Sequence, residues 1–217
     1  MNANINSEPT LEHLAEAPLP TKHGTFRLVV FRYDDPGAHP ELSSEHLALV
    51  MGDVENRENV PVRVHSECLT SEVLGSLKCD CKEQLDTAQF RIAQAGLGVV
   101  LYLRQEGRGI GLSNKVKAYA LQADGADTIE ANELLHLPVD ARKYDVAASM
   151  LRHLKVKSVR LMTNNPDKVD ALQRLGIIVT DRLPVYVGAN QHSESYLVVK
   201  RDRMRHQLPT DLSLLDS

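Results

Sequence analysis

The spacing of apolar and polar positions changes character near residue 82. Before it, Thr25–Tyr33, His46–Asp53 and Val60–Glu67 are β-branched or alternating stretches. Loops carrying Pro, Gly, Asp and Asn part them, so they read as strands. Three strands in sequence with no helix between them predict an antiparallel beginning. After it, Leu85, Ala88, Ile92 and Ala95 recur at helical spacing, and Gly96–Gly98 ends that helix. In Val99–Arg104 apolar residues fill both alternating sets, as in a central strand covered on both faces. A glycine loop leads into a helix across Asn114–Gln122. Another helix covers about Arg142–Leu154, with Tyr144, Ala147, Ala148, Leu151 and Leu154 on one face. Ser158–Thr163 is a short strand. Asn165 then reads as an N-cap, Pro166 as N1 and Gly176 as C′, before a strand opening at Ile177–Thr180. The last helix is basic and weak. Strands alternating with helices from residue 82 predict an α/β fold: a single three-layer domain with a mixed sheet. The polar, Pro-punctuated residues 1–20 read as a loose arm, 21–205 as one folded domain and 206–217 as a frayed tail.

Composition narrows the partners. With 25 Lys+Arg against 29 Asp+Glu, the net charge of −4 supplies no global basic field, so nucleic acid is not expected. An anionic substrate must instead meet a local cluster of cations. A chain of 217 residues with 42% hydrophobic residues can bury a full core. No apolar run approaches the ~18 residues of a membrane span. The N-terminus lacks the basic and apolar segments of a signal peptide, so a cytoplasmic location is expected.

Cys68, Cys79 and Cys81 are the only cysteines, in the pattern C-x10-C-x-C. An odd number argues against a disulfide framework. Three thiolates leave one tetrahedral position of a zinc ion open, where water with a pKa of ~7 would supply hydroxide. Asp80-Cys-Lys-Glu83 resembles a capping box, which would put Cys81 at N1 of a helix, where the dipole favours a thiolate. On the preceding strand, Val60, Val62 and Val64 share one face and Arg63, His65 and Glu67 the other. Strict alternation would carry Cys68 to the valine face, so the chain must turn there. The alternatives are three buried cysteines acting as small hydrophobes, or a structural site completed by His65. His65-Ser-Glu67 followed by cysteines is similar to the zinc deaminases of nucleobases. Their second half is P-C-x-x-C, whereas here C-x-C follows Lys78.

Glu106-Gly-Arg-Gly-Ile-Gly-Leu112 lies between a strand and a helix. Gly107, Gly109 and Gly111 would let backbone N–H groups approach phosphate, and Arg104 and Arg108 flank them. The loop is neither a Walker loop nor G-x-G-x-x-G. Thr163-Asn-Asn-Pro-Asp-Lys168 ends a strand and opens a helix, a favoured place for ligands. Lys168 opposes the helix dipole there, which makes sense if it holds an anion; the alternative is a surface lysine. Taken alone, Asp140 is an N-cap and Arg142 a surface residue.

Together these segments resemble the GTP cyclohydrolase II family. The resemblance rests on Arg63-Val-His-Ser-Glu-Cys-Leu-Thr70, Cys79-Asp-Cys81, Arg104-Gln-Glu-Gly-Arg108, Ile110-Gly-Leu112, Asn114-Lys115, Ala118-Tyr-Ala-Leu-Gln122 and Leu161-Met-Thr-Asn-Asn-Pro166, in that order. It implies a homodimeric, zinc- and magnesium-dependent hydrolase that opens the imidazole ring of GTP. Formate and pyrophosphate would leave, giving a 2,5-diamino-6-ribosylamino-pyrimidinone 5′-phosphate, the first step of riboflavin biosynthesis. By the resemblance, Cys68, Cys79 and Cys81 hold zinc, and magnesium accompanies the triphosphate. Arg63, Val64, His65, Ser66, Glu67, Gln84, Glu106, Gly107, Arg108, Thr128, Thr163 and Lys168 contact GTP. Asp140 is the proton acceptor, Arg142 the nucleophile on the α-phosphate, and Tyr119 assists near the base. One of these roles conflicts with elementary chemistry: a guanidinium with a pKa above ~12 is a poor nucleophile and a good phosphate clamp. The alternative readings are a paralogue that stops at a formylated pyrimidine or serves a secondary metabolite, and a zinc-stabilised nucleotide-binding module without catalysis.

Overall fold

The computed structural model describes residues 9–35, 42–138, 140–188 and 192–211. The strands are β1 (Thr10–Thr21), β2 (Gly24–Asp34), β3 (Glu45–Met51), β4 (Val60–Ser66), β5 (Gly98–Leu103), β6 (Val159–Met162) and β7 (Val179–Leu183). The helices are α1 (Leu69–Glu72), α2 (Cys81–Ala95), α3 (Leu112–Ala123), α4 (Thr128–Leu134), α5 (Asp145–His153), α6 (Pro166–Arg174) and α7 (Glu194–Arg203). One mixed sheet of seven strands runs in the order β1-β2-β3-β5-β4-β6-β7.

The two halves of the sheet follow different rules. β1, β2, β3 and β5 pair antiparallel, whereas β5, β4, β6 and β7 are parallel. The expected antiparallel opening therefore exists but has different members. β4 is not its third strand; it lies between β5 and β6, parallel to both. The carboxyl ends of β4, β5 and β6 consequently meet at one edge of the sheet, where ligands bind in such folds.

Both faces of the sheet are covered, giving the expected three layers. Val60, Val62, Val64, Leu101 and Leu103 pack with Ala147, Met150 and Leu151 of α5 on one side. Val100 and Met162 pack with Ala88 and Ile92 of α2 on the other. Each fully buried Leu or Met contributes about 1.5–3 kcal/mol, so α5 is held mainly by this face. Helix ends agree with the sequence at α6, where the Asn165 side chain accepts the Asp167 N–H at 2.9 Å and Pro166 opens the helix. α2 ends on Gly96 in the left-handed region.

Two expected boundaries are corrected. Over Thr10–Thr21 the supposed loose arm is an edge strand, joined to β2 through Thr21 and Gly24. Its polar composition and prolines are tolerated because an edge has one unpaired side. Arg27 and Arg32 tie it across to Glu16 and Glu12, at 2.9 and 3.1 Å. Residues 1–8 of that arm lie outside the described residues. The start of the supposed frayed tail is docked: Gln207 N–H donates to the Asn164 carbonyl at 2.8 Å and Leu208 packs on Leu197. Residues 212–217 lie outside the described residues. Among the described residues, no helix is long and apolar enough to cross a membrane.

Candidate active site

A cavity of about 550 Å³ opens at the shared carboxyl edge of β4, β5 and β6. Two groups of side chains define its chemistry.

The first is the cysteine cluster. The chain turns after β4, as the alternation requires, and Cys68 becomes the residue before α1. Cys81 is the first residue of α2, as expected, but the capping box does not form. The Asp80 carboxylate instead accepts from Lys200 Nζ at 2.7 Å and from Gln84 Nε2 at 2.6 Å. The three thiols are unbonded to one another, with Cys68 and Cys79 Sγ 3.6 Å apart and all three within 4.8 Å. Tetrahedral thiolates at 2.3 Å from zinc stand about 3.8 Å apart, so the cluster fits that ion. Among the described residues, no fourth protein ligand joins them. His65 does not complete a closed site, because neither of its ring nitrogens falls within the cysteine group; its Nε2 lies 2.7 Å from the Glu72 carboxylate. Burial lowers the His65 pKa, so the ring is neutral with its proton on Nε2.

Neighbouring groups favour the thiolate at Cys68 and oppose it at Cys79 and Cys81. Hydrogen bonds from Cys79 and Cys81, followed by the Lys115 ammonium, hold the Cys68 thiol well below its ordinary range. Hydrogen bonding to its neighbours, then burial, holds Cys81 well above it. Lys115 Nζ sits 3.1 Å from Cys68 Sγ and 2.8 Å from Glu106 Oε1. Glu106 also accepts the Leu69 N–H at 2.6 Å, which ties α1 to the glycine turn. Tyr119 lies beside the cluster, its hydroxyl 3.4 Å from Thr70 Oγ1, and burial raises its pKa. It therefore carries a proton it can donate.

The second group is cationic. Arg63 is buried, with Nη1 donating to the Met162 carbonyl at 2.9 Å and Nη2 to Gln84 Oε1 at 2.5 Å. Lys168 is no surface lysine: it is buried, and its Nζ donates to the Val64 carbonyl at 2.7 Å. Burial, then Arg63 and Arg142, pushes the Lys168 pKa well down. Arg142 forms a bidentate pair with Asp140, including Nε to Oδ1 at 2.9 Å. Against the cost of burial, that pairing holds the Asp140 carboxyl below its ordinary value. Arg108 has left-handed backbone, with φ of 60°, a conformation costly for a side chain with a Cβ. Its Nη1 and Nη2 are buried and have no hydrogen-bond partner among the described residues.

The glycine turn works differently from the expectation. Gly107 N–H donates to Glu106 Oε1 and Gly111 N–H to the Glu106 carbonyl, so these amides close the turn itself. Gly109 serves close approach: an added Cβ would stand 2.9 Å from the Ala141 carbonyl. Ala141 N–H donates to the Arg108 carbonyl at 2.9 Å, so this contact sets Arg108 and Arg142 side by side.

The cavity brings together most residues singled out from the sequence. Arg63, His65, Ser66, Glu67, Cys68, Cys79, Cys81, Gln84, Glu106, Gly107, Arg108, Tyr119, Arg142, Thr163 and Lys168 line it. Val64 does not, since its side chain is in the core and only its carbonyl reaches Lys168. Asp140 reaches the cavity through Arg142. Thr128 is the first residue of α4, and its side chain lies outside the described atoms. Arg104 does not line it, but pairs with the cavity-lining Glu67 at 3.0 Å. Sequence reasoning missed Glu72, Lys115 and the wall built by α7. Lys115 stands four residues before Tyr119, and Tyr196 four before Lys200. Helical neighbours at that spacing are the signal that would have found them.

Comparison with known proteins converges on one group. A family model for GTP cyclohydrolase II matches residues 12–184. GTP cyclohydrolase-2 of Acinetobacter baumannii strain SDF is 53% identical over 203 residues, 93% of this chain and 98% of that protein. GTP cyclohydrolase-2 of Acinetobacter baylyi is 52% identical over 202 residues, again 93% and 98%. Riboflavin biosynthesis protein RibBA of Chlamydia muridarum is 53% identical over 199 residues, 91% of this chain and 46% of that protein.

Proposed function

The chain belongs to the GTP cyclohydrolase II family, and from that premise we propose that it binds GTP in the cavity and hydrolyses its imidazole ring. The chain is a hydrolase of riboflavin biosynthesis. The proposed products are formate, pyrophosphate and the 2,5-diamino-6-ribosylamino-pyrimidinone 5′-phosphate. The observation that carries this reading is a cluster of three cysteine thiols sharing one cavity with a group of buried basic side chains.

Cys68, Cys79 and Cys81 would hold zinc, which when bound supplies Lewis acidity and hydroxide at neutral pH. Tyr119, kept protonated by burial, donates a proton to a ring nitrogen as the imidazole opens. Lys115 holds Cys68 and Glu106 in place. Arg63, Arg108, Arg142 and Lys168 bind the triphosphate, and magnesium carried with it would offset part of its charge. Asp140 orients Arg142 through two parallel hydrogen bonds. A guanidinium so paired is firmly protonated, which favours a clamp on the α-phosphate over the nucleophile role that the resemblance implies. His65, Ser66, Glu67 and Gln84 line the floor beneath the nucleotide. A homodimer in the cytoplasm completes the reading.

The test is to incubate the protein with GTP, zinc and magnesium and identify the products by mass spectrometry. A deformylated diaminopyrimidine monophosphate with pyrophosphate is expected. A product retaining the formyl group would move the chain to the narrower branch of the family. Untouched GTP with zinc bound would overturn the reading.

A further inference from the structure

The family match ends at residue 184, yet the chain beyond it returns to the cavity. Tyr196, Val199, Lys200 and His206 all line it. The segment is tied to the rest of the domain through Asp80 and Asn164 and is folded on itself. Lys200 Nζ donates to Asp80 Oδ1 at 2.7 Å, a buried ion pair between α7 and the residue separating Cys79 from Cys81. Gln207 N–H donates to the Asn164 carbonyl, and Leu208 packs on Leu197. His206 N–H donates to the Lys200 carbonyl at 3.0 Å, which turns the chain back over the cavity.

The position of this wall gives it chemistry. The Tyr196 ring is flanked by two cations, Lys200 Nζ at 4.4 Å and the Arg108 guanidinium at 5.5 Å from its centroid. It thereby orients the Arg108 guanidinium, whose Nη atoms are buried and lack hydrogen-bond partners among the described residues. A buried guanidinium left with open donors is costly unless a ligand accepts from it. His206 faces the same cations. Burial, together with Lys200, Arg142, Lys168 and Arg108, lowers its pKa to about 2, so it is a neutral N–H donor at neutral pH.

We propose that the segment Tyr196–His206 is the fourth wall of a polyphosphate subsite, in which His206 donates to a phosphate oxygen and Tyr196 positions Arg108 on the same group. This rests on the reading of the cavity as a GTP site. It adds a substrate contact from outside the region shared with the family model. The chemistry recognised is a chain of phosphates, independent of the base attached.

The test compares wild type with His206→Ala, Tyr196→Ala and Tyr196→Phe. Inorganic tripolyphosphate and guanosine serve as binding probes in calorimetry, and GTP serves in kinetics. One lost hydrogen bond to a charged group corresponds to about tenfold or more in affinity. Both alanine variants should therefore weaken tripolyphosphate binding and raise KM for GTP by that factor, with kcat within about threefold and guanosine binding unaltered. Tyr196→Phe, which keeps the ring, should restore what Tyr196→Ala loses. If His206→Ala fails to fold by circular dichroism, His206→Gln, which keeps a donor of similar reach, replaces it and should show a smaller shift in the same direction. GTP turnover with unchanged KM and tripolyphosphate affinity in the folded variants would overturn this inference alone. Tripolyphosphate binding that depends on His206, with GTP left intact by wild type, would overturn the cyclohydrolase reading and leave the subsite standing.

Discussion

The thiolate cluster and the cationic cluster share a cavity but are built in opposite ways. The thiolates come from a stretch of 14 residues, placed by the end of one strand and the start of one helix. The cations come from β4, the glycine turn, the loop before α5, α6 and α7, so that Arg63 and Lys200 belong to distant parts of the chain. A local cluster is defined by spacing and survives small shifts of the frame. A dispersed cluster exists only when the whole sheet is assembled. On the proposed reading, the first sets which chemistry is available, and the second sets which molecule receives it.

Changes in the thiolate cluster should therefore be the most severe and the most local. Cys81→Ser is expected to remove bound zinc, measured by elemental analysis, and to lower ring opening by about three orders of magnitude, since a metal contributes several kcal/mol to such steps. The circular dichroism spectrum should remain close to wild type. A melted domain would instead make the metal structural. Arg142→Lys tests the cationic side. It loses the bidentate pairing with Asp140, and pyrophosphate release should fall by about a hundredfold while zinc content stays unchanged. Full retention of pyrophosphate release would count against a special role for the guanidinium.

Lys115→Met sharpens the boundary between the two clusters. Lys115 touches a thiolate without being a ligand, so zinc affinity against a competing chelator should fall 10- to 100-fold. Wild-type affinity would show that Lys115 only packs. The last test lies outside both clusters and reads stability instead of chemistry. His46 is buried on β3, and its Nδ1 accepts the Arg104 N–H at 3.0 Å. Burial, then Arg104, lowers its pKa from 6.5 to about 4. The unfolded chain therefore binds more protons between those values. The stability provided by neutral His46 is complete above pH 6.5 and is lost as pH falls toward 4, about 3 kcal/mol over that window. His46→Gln should show a shallower decline in urea unfolding. Equal slopes for the two proteins would sink this assignment.

The same division explains what could be read from the sequence. The N-cap at Asn165, the left-handed stop at Gly96 and the central strand β5 follow from local rules, and the structure contains each of them. So does the turn that frees Cys68 from the valine face. β1 was illegible because an exposed edge strand with Pro18 and Pro20 carries little apolar alternation; its order comes from β2 and from ion pairs across the strands. The Asp80 capping box failed because Lys200, 120 positions later, takes the same carboxylate. Asp140 and Arg142 looked like an N-cap and a surface residue because their significance depends on the Gly109–Ala141 contact, which no spacing reveals.

The pairing of Asp80 with Lys200 also bears on how the protein is made. Synthesis is vectorial, and the 120 residues between these partners take about 6–24 s to add. A nascent chain thus exposes all three thiols, and an acidic residue between two of them, well before the balancing ammonium exists. On the proposed reading, metal would have that interval to reach the cysteines while the wall proposed for phosphate is still inside the ribosome. The enzyme would then be charged with its ion before it can hold a nucleotide.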